Sequence, residues 1–550
     1  MSENQVTQAF VQQIEACLEL AAQPAIAACW RTFDDLLLAF ERLDSSALDM
    51  LEGMLELPVL LAPARAAARR AVQRFPDNAR AWYLHGRSLL LGDRQFSAAL
   101  ESLERAWSID PCADPLLPLC MSAALLGERR WSHAERMCRL ALKRWPDSAD
   151  AYSNLSAALR GQYRSEEALD AARHALALAP DNTHAPAQLS LALMDCWRFE
   201  EARDYLRDVV RRQPESGNLR LMLGEIELRL GQWSSGWANM HARFHLPELR
   251  AQLERREREC GIPIWRGEPL QGRTLGIWLE QGYGDAILLV RYLPLLAERV
   301  CAMGGRLVFG CFAPLLELFR PLVPPGVALD VDQLRPTDFH LPLMTACASF
   351  DLEPSMLSDR PYLSADPQRI ATWRKRIGGG DGRLHVALAW TGNPDQVRND
   401  IRSLTSSALD SLLDIGGVTF HSLNPAVAEH VRELQGWGFD IQDWSACLHD
   451  FGDSAALISS VDLVITTCTA SAHLAGAVGA PTLLMLDRVA SFFWGLEEHR
   501  TCWYDSVRLL RQARLGDWSD VVARVHQELA QRLNCLPSHR TESASLRRIA

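Results

Sequence analysis

Small and apolar positions return along the first half of the chain at a fixed interval. Five prolines, Pro76, Pro111, Pro146, Pro180 and Pro214, follow one another at 35, 35, 34 and 34 residues. Five positions before the last four stand Ala106, Ala141, Ala175 and Val209, and seven before those stand Ala99, Ala134, Ala168 and Ala202. Small residues at such places let paired helices touch, so each unit reads as a helical hairpin. Trp82 and Gly86, Tyr152 and Leu155, and Gly224 fill further positions of the pattern. From Leu275 the pattern changes to short apolar runs separated by amphipathic stretches: Leu275–Leu279, Arg306–Cys311, Gly326–Val331 and Phe339–Leu341, then 385–390, 418–423, 462–467 and 481–486. Apolar runs alternating with helical stretches predict parallel sheets.

A 34-residue helical hairpin is the tetratricopeptide period. Such hairpins cannot bury their apolar faces alone, so they stack into a solenoid with a groove suited to an extended peptide or another protein; a rigid spacer without a ligand is the alternative. Residues 1–60 read as a helical cap with degenerate repeats, with Phe10, Val11, Ile14, Cys17 and Leu18 on one face. The repeats run over 61–245, and the aromatic stretch around Trp233, Trp237, Phe244 and Trp265 reads as a hinge. Two doubly wound halves follow at 246–377 and 378–535, separated at the glycine run of 377–383, and residues 536–550 read as a mobile tail. The fold class expected is an α-solenoid followed by two Rossmann-like domains.

The chain has 550 residues, 48% of them hydrophobic, which suffices for several cores. With 57 basic against 68 acidic residues the net charge is −11, which argues against a phosphate-backbone binder. Fourteen scattered cysteines without a CxxC pair or zinc spacing point to reduced thiols, and neither a signal sequence nor a membrane span is visible. A cytoplasmic protein, with no nucleic-acid partner and no metal or cofactor, is expected.

Candidate chemistry lies in three loops. In EQGYGDAILL the glycines Gly282 and Gly284 allow close backbone approach, and Asp285 opens a helix. Its carboxylate is either a cap for the first helical N–H groups or a general base for an acceptor hydroxyl. In TTCTASAH a helix begins after a strand, so Thr469, Ala470 and Ser471 present N–H groups suited to phosphate. His473 beside them is either a diphosphate or ribose contact or a packed ring. In WTGNPDQVRNDIRSL the loop gathers Asn393, Asn399, Asp400, Arg402 and Ser403. Arg402 either stabilises departing phosphates or is solvated. The triplet Asp330–Asp332 alone does not establish a metal site.

The ordered set LGQWSSGW, WRGEPLQGRTLGIWLEQGYGD, PYLSAD, WTGNP with RNDIRSL, AHLAGAVGAPTLLML, and CWYDSVRLLRQ with GDW resembles bacterial proteins that join tetratricopeptide repeats to a GT-B domain. That domain is similar to ADP-heptose lipopolysaccharide heptosyltransferases, in a group that includes flagellin glycosyltransferases. The resemblance runs from about Leu61 to Gln531. It implies that Asp285 is the catalytic base and that Thr469 to His473 form the nucleotide-sugar loop. Gly282, Gly284, Asn393, Arg402, Cys468, Ala470 and Ser471 complete the donor side. It implies metal-independent inverting transfer from a nucleotide sugar to Ser or Thr of a protein held by the repeats, with flagellin as one candidate acceptor. One departure stands out: the family's loop reads D-T-x-x-x-H, and Cys468 occupies the aspartate's place. A partner-binding chaperone with a decayed transferase half is the alternative that this departure supports.

Overall fold

A computed structural model of the chain describes residues 45–56, 61–91, 94–180, 184–331, 337–358, 360–378, 382–394, 396 and 398–535. Most of the expected cap, the centre of the glycine run, Asp332 and the tail from 536 lie outside the described residues. The chain forms two compact units, divided between Cys196 and Trp197.

In the first unit the helices Ser45–Leu55 and Leu61–Arg74 precede helical hairpins, from Ala79–Leu91 with Phe96–Ile109 to Ala149–Gly161 with Ser165–Leu178, followed by Ala185–Asp195. Their touching positions are those of the recurring small residues: Ala99, Ala106, Ala134, Ala168 and Ala175 are wholly buried and Ala141 nearly so. A second repeat marker lies in the backbone. The turns inside successive hairpins carry a left-handed residue at Arg94, Arg129, Tyr163, Trp197 and Gly231, with φ between 50° and 74°. Each non-glycine residue there costs about 1 kcal/mol or more, which the hairpin packing must offset.

The last two of those turns belong to the second unit. Helices Phe199–Arg212, Gly217–Arg229 and Trp233–Met240 continue the repeat pattern, yet they pack with the sheets that follow. The stretch expected to be a hinge is therefore core. Trp237 is 1% exposed and its indole N–H donates to Leu352 O at 3.1 Å, while Trp233 meets Trp503 edge-on.

Two parallel sheets complete this unit. The first has the order β3-β2-β1-β4, with β1 Thr274–Trp278, β2 Arg306–Cys311, β3 Ala328–Val331 and β4 Phe339–Pro342. The second contains β5 Leu384–Ala389, β6 Val418–Ser422, β7 Ile441–Gln442, β8 Leu463–Thr467, β9 Thr482–Leu486 and β10 Val507–Arg511, ordered β10-β9-β8-β5-β6-β7. That is the Rossmann order, whose direction reverses between β5 and β8. The helix Pro367–Ile377, ahead of the glycine run, already packs against the second half: it lies along Phe451–Ile458, Trp373 meets Trp444 edge-on, and Arg369 pairs with Asp450, the cap of that helix, at 2.6 Å. The crossing between the halves thus precedes the glycines, because Trp373 needs the second half to be buried.

One ion pair ties the end of the repeats to the first sheet. Arg243, just after helix Trp233–Met240, grips Glu280 with two bonds of 2.6 and 3.1 Å, both side chains being 1% exposed. Glu280 also accepts the N–H of Met344 at 3.1 Å, and Arg243 reaches Thr345 Oγ1 at 2.7 Å. The charges are fully partnered, and removing one strands the other. Arg243→Met is expected to destabilise the second unit by about 3–5 kcal/mol, whereas Arg250→Met, which breaks an exposed pair with Glu254, costs about 0–1 kcal/mol; urea unfolding of both variants checks this. A chain starting at Trp197 is expected to unfold cooperatively, and one starting at Gly231 to lose that cooperativity, as read by tryptophan fluorescence.

Candidate functional site

The loops singled out by sequence leave the carboxyl ends of β1, β5 and β8, on either side of the places where strand order reverses. In open α/β sheets ligands bind there. After β1 the chain turns at Gly282 and enters helix Tyr283–Leu289. Asp285, expected to open the helix, sits in its first turn and accepts the Gly282 N–H on Oδ2 at 3.2 Å. This capping bond occupies one carboxylate oxygen. Burial raises the Asp285 carboxyl to about 6, the Glu280 charge pushes the same way, and the Gly282 N–H and Arg402 oppose it.

Helix Ala470–Val478 comes against this loop. A Cβ on Gly284 would stand 3.1 Å from His473 Cδ2, 3.5 Å from Ala470 Cα and 3.7 Å from Ala470 N, so the two loops meet closely at this glycine and a side chain there would press on the His473 ring. Thr469 precedes the helix with extended backbone, and its hydroxyl turns to Thr466 Oγ1 at 3.2 Å without capping the helix. The N–H groups of the first turn are therefore left uncapped by that side chain, and Ser471 is half-buried beside them.

Arg402 ends the short helix Asn399–Arg402 and donates to Cys468 O at 3.0 Å and to Asn399 Oδ1 at 3.2 Å. Asn399 Oδ1 also accepts the Gly392 N–H at 3.1 Å, which closes the β5 loop on itself. Ser403 bonds Thr391 Oγ1 at 2.8 Å. Asn393 and Asp400 lie on the exposed side of the same loop. The structure therefore brings Gly284, Ala470 and His473 into contact, sets Arg402 on Cys468, and places Arg402 within electrostatic reach of Asp285.

His473 and Cys468 are internal. The imidazole is 5% exposed, stacks on Trp494 with centroids 4.6 Å apart, and shares a 3.1 Å hydrogen bond with Tyr504 Oη. Burial lowers it to about 3, so the ring is neutral at physiological pH and brings no positive charge to a phosphate. Cys468 Sγ accepts the Trp494 indole N–H at 3.1 Å, and burial pushes the thiol up, away from thiolate chemistry.

Sequence reasoning missed the groups that hold these loops. Arg291 is buried, donates to Trp503 O at 2.8 Å and lies over the Tyr362 ring at 4.7 Å. Tyr362 donates from its hydroxyl to Ile287 O at 2.6 Å, and its own N–H bonds Ala477 O at 3.0 Å. This strap joins the Asp285 helix to the His473 helix. PYLSAD was visible as a motif; its bonding partners, far away in sequence, were not. A hollow of about 550 Å³ beside Arg243, lined by residues including His241, Trp265, Arg266 and Thr345, shares no residue with the Asp285 cluster.

Tetratricopeptide repeat models match residues 62–111 and 189–235, and another matches 148–179. Protein FlbA of Caulobacter vibrioides is 27% identical over 324 residues, covering 54% of this chain and 53% of that protein, so the match spans about half the length of each. Among solved structures, the thermophilic TPR protein TTC0263 of Thermus thermophilus is 22% identical, covering 32% of this chain and 96% of that one, with a TM-score of 0.29. The E. coli ADP-heptose lps heptosyltransferase II is 10% identical, covering 47% and 99%, with a TM-score of 0.33. The glycosyl transferase family 9 protein of Veillonella parvula DSM 2008 is 10% identical, covering 48% and 98%, with a TM-score of 0.36. The chain thus carries tetratricopeptide repeats ahead of two parallel, Rossmann-like sheets.

Proposed function

We propose that this chain is a protein O-glycosyltransferase of GT-B type. It moves a sugar from a nucleotide-activated donor to Ser or Thr of a protein bound by the repeats, flagellin being one candidate. The observation that carries the reading is the juxtaposition of Asp285 and the uncapped start of helix Ala470–Val478, drawn together at Gly284. A carboxyl near 6 is mostly ionised at neutral pH and basic enough to accept a proton as an alcohol attacks. The helix start and Arg402 supply the positive field that a departing phosphate needs.

In this reading Asp285 takes the acceptor hydroxyl proton while the oxygen attacks the anomeric carbon. The bond to the nucleotide phosphate breaks on the opposite face, and configuration inverts. Arg402 and the first-turn N–H groups of Ala470 and Ser471 receive the phosphate, without a metal. Gly282 and Gly284 let the backbone close on the substrates. Thr469 and Asn393 complete the donor side, and His473 and Cys468 support it from inside. Tethering the acceptor on the same chain raises its effective concentration.

The non-catalytic alternative, a partner-binding chaperone, rests on Cys468: a thiol turned to Trp494 stands where the loop of the family that the sequence resembles has an aspartate. Turnover separates the two. Asp285→Asn is expected to lower kcat by about 10²–10⁴-fold with donor binding retained; sugar transfer or donor hydrolysis that persists at the wild-type rate contradicts the assignment. The wild-type rate is expected to fall about tenfold per pH unit below about 6, as the base becomes protonated. Stability moves the other way. A raised folded-state pKa favours the fold at low pH, and this contribution is lost as pH rises from about 4 through about 6. Asp285→Asn is therefore expected to raise the melting midpoint at pH 7 relative to wild type more than at pH 4, checked by thermal unfolding at both.

A further inference from the structure

Beyond β9 the chain runs irregularly from Asp487 to Gly495, largely inside the second unit. Buried irregular backbone must find donors for its carbonyls. Trp503 donates its indole N–H to Phe493 O at 2.7 Å, and further side-chain donors come from three separate elements. Arg398, in the β5 loop, donates to Val489 O and to Asp487 Oδ1, both at 2.9 Å. Arg511, at the end of β10, donates to Gly495 O at 3.0 Å and, more distantly, to Trp494 O and Arg488 O. The third is the end of the repeats, through the turn before Phe199–Arg212 and the helix Gly217–Arg229. Trp197 donates its indole N–H to Arg488 O at 3.0 Å, with the Arg488 guanidinium 4.8 Å from its ring centre, and Arg229 donates to Ala490 O.

Arg229 is buried on helix Gly217–Arg229, over the ring of Phe199 at 5.1 Å. The segment it holds carries Trp494, whose ring covers His473 and whose N–H meets Cys468. A bonded path therefore runs from the end of the repeats through Ala490 and Trp494 to the start of helix Ala470–Val478.

We infer that Arg229 is a positioning residue for the donor loop, so that the end of the repeats is part of the donor site and more than a tether for the acceptor. The link to donor binding rests on the proposed reading of residues 468–473; the link from Arg229 to the order of that loop does not. Arg229 touches no substrate and acts through the 487–495 segment. Loss of its guanidinium leaves Ala490 O unpartnered in a buried place, and the segment then relaxes away from the donor loop.

The test uses the full-length protein with Arg229→Met, Arg229→Lys and, as a control on the same helix, Arg220→Ala, whose side chain reaches only Pro214 O on the surface. Hydrogen exchange is expected to rise in residues 468–476 and 487–495 of Arg229→Met, to return largely to wild type in Arg229→Lys, and to stay unchanged in Arg220→Ala. Binding of UDP, ADP, GDP and CMP is measured in parallel. The nucleotide that wild type prefers is expected to bind Arg229→Met about tenfold more weakly, the effect of about 1.4 kcal/mol, with lysine restoring most of the loss. Exchange that rises only within Gly217–Arg229, or not at all, overturns the inference. A uniform rise across the second unit without rescue by lysine also overturns it, since that marks a merely structural role. If Arg229→Met fails to fold, Trp197→Phe removes one indole N–H from the same segment and is expected to raise exchange at 487–495 and 468–476; no rise there overturns the inference too. If wild type binds none of the nucleotides, the donor reading fails, while the exchange pattern still decides the positioning role.

Discussion

Two opposite charges sealed inside the second unit set the position of the loop that carries Asp285. Arg243 comes from the end of the repeat pattern and Glu280 from the end of β1, and each is also bonded to the start of the helix that follows β4. A pair this buried gains little net stability over apolar groups of the same size, because both ions give up their water. What it adds is geometry: neither partner can shift alone without leaving a bare charge. Glu280 lies five residues before Asp285, and its negative charge helps to hold the Asp285 carboxyl above its usual range. The same ion pair thus fixes where the loop is and tunes its chemistry.

The loops that follow β5, β8 and β9 are held in a different manner, by side-chain donors to backbone oxygen. Arg402 on Cys468, Arg398 on Val489, Arg229 on Ala490 and Arg511 on Gly495 all bond carbonyl groups. Arginine suits this task because its rigid fork carries several donors and tolerates burial better than an ammonium group. Burial lowers Arg229 and Arg511 to about 10, so both remain charged at neutral pH. Between these anchors the aromatic rings of Phe493, Trp494, Trp503 and Tyr504 fill the core. His473 sits among them as one more ring, close to Gly284.

Much of this architecture was legible in the sequence because it is local. The repeat period, the buried alanines and eight of the ten strands among the described residues follow from spacing and apolar runs. The strands missed are β7, only two residues long, and β10, whose Arg508 and Arg511 break the apolar run. The boundary between units was not legible, since the helix pair Phe199–Arg212 and Gly217–Arg229 has the same pattern as the helices before it. What sets it apart is its partner, a loop some 260 residues further on. The three loops of the candidate site were found as glycines and polar clusters at strand ends. Their supports were not, because Arg243 and Glu280, or Cys468 and Trp494, are distant in sequence and carry no shared motif. For His473 the sequence left two readings; the aromatic cage shows a packed, neutral ring, and its relation to a donor belongs to the proposal above.

The most direct measurement is a thermal-shift screen of the full-length protein against CMP, UDP, ADP, GDP and their sugar conjugates, because a ligand that binds only the native state raises the midpoint. The account predicts a clear, saturable rise with one nucleotide and its sugar conjugate, with Cys468 in place. A well-folded sample that shifts with none of them contradicts a working donor site and leaves partner binding as the function of the chain.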